Sequence, residues 1–233
     1  MNYAIIAAGQ GSRLVMDGLN ESKPMVKING EPLVGRLIRI FAQNNADSIS
    51  VIVNEEMTDV KHYLEMLSVG CELNVVVKTT PSSMHSFYEL SKVMKPGRFC
   101  LTTVDTVFRE DDFAGFIKTF EQMEGADGLM AITPFVDDEK PLYVEIDDDK
   151  NIKAFLDESS ETEMYVSGGV YALDDKARKI LGECVSNGVA RMRNYQRTLL
   201  SQGLKLRSYS IEKIVDVDHL CDIAEAEKLL LVE

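Results

Sequence analysis

The stretch "AAGQGSRL", residues 7–14, sets Gly9 and Gly11 on either side of Gln10 and follows them with Arg13. A turn made of small residues lets backbone N–H groups close on a bulky anion. The fixed charge of Arg13 makes phosphate the expected anion. Lys23 stands ten residues after Arg13 and supplies a second cation, followed by Pro24. Far downstream, Asp105 closes an apolar run in "LTTVDTVF", and Asp216 and Asp218 alternate in "KIVDVDHL". Alternation on an extended segment points both carboxylates to one face. A hard oxygen ligand beside phosphates suits Mg²⁺, which takes one or two carboxylates plus phosphate oxygens. A lone Asp at a strand end also serves as a turn or cap residue, so the metal reading of Asp105 rests on its company.

The glycine turn is neither of the two commonest phosphate loops. No G-x-x-x-x-G-K-[ST] occurs in the chain. Gly9 and Gly11 fit the first two positions of G-x-G-x-x-G, but Leu14 fills the third, where close helix packing calls for Gly or Ala. A further small-residue turn, "TTPSSMHSFYEL", places Ser82 and Ser83 at the start of an expected helix. Their hydroxyls suit either a base or ribose contact or a helix cap.

These groups must be positioned by a regular scaffold, and the periodicity supplies one. "NYAIIAA" reads as a short buried strand that stops at Gly9. Apolar residues at 33, 34, 37, 38, 40 and 41 have helical spacing. Residues 48–55 form the next strand, and "VKHYLEMLSVG" is a helix ended by Gly70. "ELNVVVKTT" is a third strand, followed by the helix that a Ser opens. "RFCLTTVDTVF" is a fourth strand with Asp105 at its end, and "REDDFAGFIKTFEQME" is a helix with acids in its first turn. Four strand–helix alternations predict an α/β fold, a doubly wound and mostly parallel sheet. Ligands of such sheets sit beyond the carboxyl ends of the strands. Residues 9–13, 81–84 and Asp105 all fall there, so three distant segments converge on one rim.

The second half changes character. "ADGLMAITPFV", "PLYVEIDDDKNIKAFLDE" and "EMYVSGGVYALDD" read as strands joined by turns, with "DDDKN" a hairpin turn. Helices are expected at 175–186 and 189–202, then a short strand and a closing helix. Without a repeat or low-complexity linker, residues 1–233 are expected to form one domain with two lobes, 1–125 and a smaller 126–233.

The totals restrict the partners. The 233 residues carry a net charge of −13, with 45% hydrophobic and 27% charged positions, an ordinary globular balance. Such an acidic chain is a poor ligand for nucleic acid or an anionic membrane. The four cysteines lie far apart without a C-x-x-C pair, which predicts a reduced, cytoplasmic protein without a structural zinc. No secretory leader and no apolar run of about 20 residues is apparent. A homo-oligomer is allowed but not specified.

Over the window "AAGQGSRLVMDGLNESKPMVKINGEPLV", and in motif order along nearly the whole chain, the sequence resembles the sugar-1-phosphate nucleotidylyltransferases, also called nucleoside-diphosphate-sugar pyrophosphorylases. Their pattern is A-A-G-x-G-x-R-L, then K-P and an apolar pair, then G-x-P-L/M. The resemblance implies a glycosyltransferase-A-like nucleotidyltransferase fold. It also implies that the backbone around Ala8, Gly9 and Gly11 contacts the nucleotide, with Ser82 and Ser83 near base or ribose. Arg13 and Lys23 would hold the triphosphate, while Asp105 with Asp216 or, preferably, Asp218 would bind Mg²⁺. Asp222 reads as a helix cap, and His219 as structural, since Mg²⁺ prefers oxygen. "YVSGGVYALDD" resembles the sugar-side G-x-Y segment, which gives Gly168 and Gly169 an acceptor role, and "AFLDE" stands where the family has an E-K-P-like stretch, which adds Asp157. Three departures are visible: "VMDG" replaces the Pro and Thr usual after R-L, Met84 is larger than the usual residue, and Asp157-Glu158 replaces Glu-Lys. Lys153, or the cluster Arg191, Arg193 and Arg197, could replace the missing Lys, although that cluster also reads as a solvated helix face.

The implied reaction is transfer of a nucleoside monophosphate from a nucleoside triphosphate to a sugar-1-phosphate, with release of pyrophosphate. A cytidylyltransferase acting on phosphocholine or another phospho-alcohol shares every motif. A glycosyltransferase of related fold has less need of Arg13 and Lys23, and a non-catalytic nucleotide-binding protein has no need of the acids.

Overall fold

The computed structural model describes residues 1–136, 140–159 and 165–231. Its elements are β1 (Asn2–Ala7), α1 (Ser12–Met16), β2 (Lys27–Ile28), β3 (Glu31–Pro32), α2 (Leu33–Gln43), β4 (Ser48–Val53), α3 (Thr58–Met66), β5 (Glu72–Val77), α4 (Ser83–Ser91), β6 (Phe99–Thr103) and β7 (Thr106–Val107). They continue with α5 (Glu110–Gln122), β8 (Gly128–Thr133), β9 (Tyr143–Ile146), β10 (Ile152–Leu156), β11 (Tyr165–Leu173), α6 (Asp175–Ser186), α7 (Met192–Ser201), β12 (Leu206–Ser210), β13 (Val215–Asp216) and α8 (Leu220–Leu231).

One nine-stranded sheet runs through both halves of the chain. Its parallel part has the order β5-β4-β1-β6. From β1 the chain steps outward to β4 and β5, then returns past β1 to β6. That reversal opens a crevice at the carboxyl ends of β1 and β6, where the glycine turn and Asp105 lie. β11 continues the sheet antiparallel to β6, and β8 and β9 pair antiparallel with β11.

β1 is buried along its whole length, and its side chains go alternately to opposite faces, so helices cover both. Tyr3, Ile5 and Ala7 join α2, α3, α5 and α8 in one core, and Ala4, Ile6 and Ala8 join α4, α6 and α7 in the other. Tyr3 stacks on Phe41 at 4.4 Å and donates its hydroxyl to the Asn44 carbonyl at 2.8 Å. On the opposite face Phe87 packs against Phe99 and Tyr195.

Several expected elements differ in detail. The fourth strand breaks at residues 104 and 105, leaving Asp105 in the turn between β6 and β7. The Asp105 carbonyl accepts from the Val217 amide at 3.0 Å, so the two acidic segments are joined through backbone. β13 pairs antiparallel with β7, placing Asp216 opposite Thr106. A short helix, α1, follows the glycine turn and buries Leu14. The "DDDKN" hairpin is present: Asp147 accepts from the Asn151 amide at 2.8 Å, which closes the β9–β10 turn. Glu163 and Met164 of the third expected strand, and Val232 and Glu233 of the closing helix, lie outside the described residues. Among the described residues, no helix is long and apolar enough to cross a membrane.

Candidate active site

The exit of β1 turns at Gly11, whose φ of 59° is left-handed. A Cβ there would meet the Cβ of Lys23 at 2.9 Å. Gly11 is thus fixed by internal packing, because only glycine lets the turn lie against the lysine stem. Gly9 differs: a Cβ there would meet nothing within 4 Å. Its bare backbone faces open space, which leaves room for a ligand.

Lys23 begins a single 3₁₀ turn, Lys23–Met25, and is 7% exposed. Its ammonium reaches Asp105 and lies 2.6 Å from Asp218 Oδ1. Arg13 Nη1 reaches the other oxygen, Asp218 Oδ2, at 2.6 Å. Both cations therefore sit directly on Asp218, which comes from the far end of the chain. Burial alone would lower the Lys23 pKa, but the Asp105 and Asp218 charges outweigh it and raise it. Burial raises the Asp105 carboxyl, but the Lys23 charge and hydrogen bonds from Lys23 and Thr103 bring the net shift below the usual carboxylate range. Asp216 opens to solvent, yet the protein packed around it and the Asp105 charge push its carboxyl upward.

Asp218 is held by the start of α8. Asp222 accepts from the Asp218 amide at 2.9 Å and from the His219 amide at 2.6 Å. A carboxylate in the first helical turn thus ties down the residues that precede it. The ring of His219 pairs with Asp17 at 3.0 Å, a structural contact.

Two cavities meet at this cluster. The larger, about 620 Å³, is lined by Ala8, Gly9, Gly11, Ser82 and Ser83 together with Arg13, Lys23, Asp105 and Asp218. The smaller, about 220 Å³, is lined by Gly168, Asp216 and Asp218, with Ser167, Phe135 and Arg13. Arg13 and Asp218 belong to both walls.

Two expected site residues lie elsewhere. Asp157 directly follows β10 and pairs with Arg193 at 2.7 Å and Arg197 at 2.8 Å, away from both cavities. Two guanidiniums on α7 compete for that carboxylate, so it fastens the end of β10 to α7. The same contacts occupy Arg193 and Arg197, and Lys153 pairs with Asp147 at 2.9 Å. Gly169 lies beside the cluster rather than in a cavity wall: its φ is 72°, and a Cβ would meet Thr106 Oγ1 at 2.9 Å. Ser82 stands at the N-cap of α4, but its hydroxyl bonds His85 Nδ1 at 2.8 Å instead of capping the helix backbone.

The sequence reading also passed over residues that line the larger cavity. Asn54, 3% exposed, accepts from the Glu56 amide at 3.0 Å and the Thr79 hydroxyl at 3.1 Å, joining the exits of β4 and β5. Thr80 and Ser86 share a hydrogen bond of 2.6 Å beside it. An Asn just after a buried strand, on the rim where ligands bind, was the available signal.

The acid pair is chemically suited to a divalent cation. Asp105 and Asp218 both reach one ammonium, so they converge closely enough to share a cation, and both offer hard oxygen donors. Among the described residues, no three His, Cys, Asp or Glu side chains form a ready-made metal cage.

A doubly wound sheet with cations, carboxylates and a glycine turn at its crevice defines a protein that handles nucleoside triphosphates. Residues 3–164 match the MobA-like NTP transferase domain, and the chain belongs to that family of nucleotidyltransferases. Solved structures with the same fold include the inositol-1-phosphate CTP transferase from T. maritima, at 17% identity and TM-score 0.80, covering 98% of this chain and 95% of that one. A Bacillus anthracis protein provisionally named as a glucose-1-phosphate thymidylyltransferase, solved with sucrose, matches at 18% identity and TM-score 0.83, covering 100% and 96%. HddC from Yersinia pseudotuberculosis matches at 18% identity and TM-score 0.73, covering 97% and 98%. A curated relative, the bifunctional IPC transferase and DIPP synthase of Thermococcus kodakarensis, is 27% identical over 108 residues. That match covers 46% of this chain and 24% of the relative, so the chain spans about a quarter of that protein's length.

Proposed function

We propose that the protein transfers a nucleoside monophosphate from a nucleoside triphosphate to a sugar-1-phosphate, forming a nucleoside-diphosphate sugar and pyrophosphate. The observation that carries this reading is the junction of the two cavities at Arg13 and Asp218. One cavity has the glycine turn and the size for a nucleotide. The other is small, partly apolar and opens onto the same charges. Residues 1–125 would supply the first and 126–233 the second, within one catalytic unit.

In the reaction, an oxygen of the acceptor phosphate attacks the α-phosphorus, and the bond to the bridging oxygen of pyrophosphate breaks. The nucleophile is already an anion, so alignment and charge neutralisation matter more than a general base. Arg13 lies where the two cavities meet and would bring both phosphates together. Lys23 would neutralise charge passing to the leaving group. The backbone at Ala8, Gly9 and Gly11 would cradle the triphosphate, and Ser82 and Ser83 would face base or ribose. Gly168, whose missing side chain lets Ile214 pack against β11, would border the acceptor, while Gly169 shapes the floor and Asp157 braces the lobe. Asp105 and Asp218, with Asp216 beside them, would hold Mg²⁺, which would supply charge neutralisation at the phosphates.

A second reading has specific support. The T. maritima neighbour is an inositol-1-phosphate CTP transferase, and the family's acidic-basic Glu-Lys pair is replaced here by Asp157-Glu158. Cytidylyl transfer to a phosphorylated alcohol fits the same geometry. The test is pyrophosphate release from each of the four NTPs with glucose-1-phosphate, inositol-1-phosphate and phosphocholine. Turnover with a sugar-1-phosphate supports the first reading, and turnover with CTP and a phospho-alcohol alone replaces it with the second. Absence of turnover throughout this panel counts against both.

A further inference from the structure

Lys23 occupies the position between Asp105 and Asp218 that a cation shared by those carboxylates would take. It is nearly buried there, its stem is pressed against Gly11, and Arg13 covers the remaining Asp218 oxygen. The acids are therefore already neutralised by the chain's own cations. We infer that Lys23 is an internal competitor that keeps divalent metal out of the nucleotide-free site, and that a triphosphate admits the metal by drawing Lys23 onto its own oxygens. The inference rests on the metal reading above but adds an order of events: nucleotide and metal enter together.

The reasoning is electrostatic. An ammonium and a divalent ion cannot share two carboxylates at contact distance without strong repulsion in a partly desolvated site. Either the lysine leaves or the metal stays out. A triphosphate offers Lys23 an equivalent anionic partner, so its departure then carries little penalty. Linkage requires that nucleotide and metal strengthen each other's binding by the same factor.

The experiment is titration of nucleotide-free protein with Mn²⁺, followed by electron paramagnetic resonance of the free ion. Lys23→Gln should bind one Mn²⁺ at least about tenfold more tightly than the parent protein, a shift of about 1.4 kcal/mol. Arg13→Gln should shift affinity in the same direction by less and keeps the test available if Lys23→Gln fails to fold. Adding Asp105→Asn to either variant should abolish the gain. Unchanged Mn²⁺ affinity in both single variants overturns the inference. A gain that survives Asp105→Asn does so too, because the ion would then sit on other surface acids. The readout needs no turnover, so its failure is separable from failure of the proposed reaction.

Discussion

Gly9 and Gly11 look equivalent in sequence but do different work. Gly11 has a left-handed backbone and no room for a Cβ against Lys23, whereas Gly9 has neither restriction. Gly11→Ala is expected to cost about 1–2 kcal/mol of stability through backbone strain alone, read as a lowered thermal midpoint. Gly9→Ala should leave the melt unchanged but raise the KM for NTP, since its methyl would stand in the space left for ligand. Equal melting losses in both would show that the turn is purely structural. The charged pair makes a second contrast. Asp105→Asn preserves shape and removes charge, so metal-dependent turnover should fall by about 10²–10³ while the thermal midpoint moves by less than about 5 °C. Full activity of this variant with Mg²⁺ would refute the metal assignment.

Among the elements, α8 bears most directly on the proposed chemistry. Its first turn fixes Asp218 through the Asp222 carboxylate, which accepts from two successive amides. Asp222→Ala should cost about 1 kcal/mol in stability, the usual worth of such a contact. If Asp218 must be held still to serve the site, kcat should fall by more than that stability loss explains, with the KM for NTP little changed. A loss of stability without loss of kcat would make Asp222 only a cap. Much of this level was legible in the sequence. The continuous apolar run of β1 marks a strand buried on both faces and the spacing of α2 marks a helix, and the repeated succession of such elements specifies a parallel sheet and its rim. The approach of Arg13 and Asp105 followed from that rim, whereas Lys23 and Asp218 were placed with them only through the family resemblance. What escaped was set by tertiary partners. Asp157 was expected at the acceptor, but two arginines on α7 claim it, and no local pattern encodes which carboxylate wins. The break of the strand at Asp105 depends on β13 arriving from more than a hundred residues away, so the run of strand-forming residues gave no sign of it. Asn54 was missed because a single polar residue after a strand is ordinary until its neighbours from β5 are in place.

At the scale of the molecule, the net charge of −13 opposes a polyanionic substrate, and the cleft itself is not strongly basic. Arg13 and Lys23 face Asp105 and Asp218, with Asp216 beside them, so the proposed site would offer a nucleotide little net positive charge unless a divalent ion entered with it. Long-range repulsion and short-range attraction respond differently to salt. At about 0.01 M ionic strength the screening length is about 30 Å, and the whole acidic surface acts on an approaching nucleotide. At about 0.1 M it is about 10 Å, and only the cleft is felt. With Mg²⁺ held constant, kcat/KM for NTP should therefore rise about two- to fivefold between these conditions, within the range that electrostatic steering can produce. A basic nucleotide-binding protein would show the opposite trend. A steady fall of kcat/KM with added neutral salt would mean that Arg13 and Lys23 dominate even at long range. In that case the overall acidity of the chain would have no part in setting how fast substrate arrives.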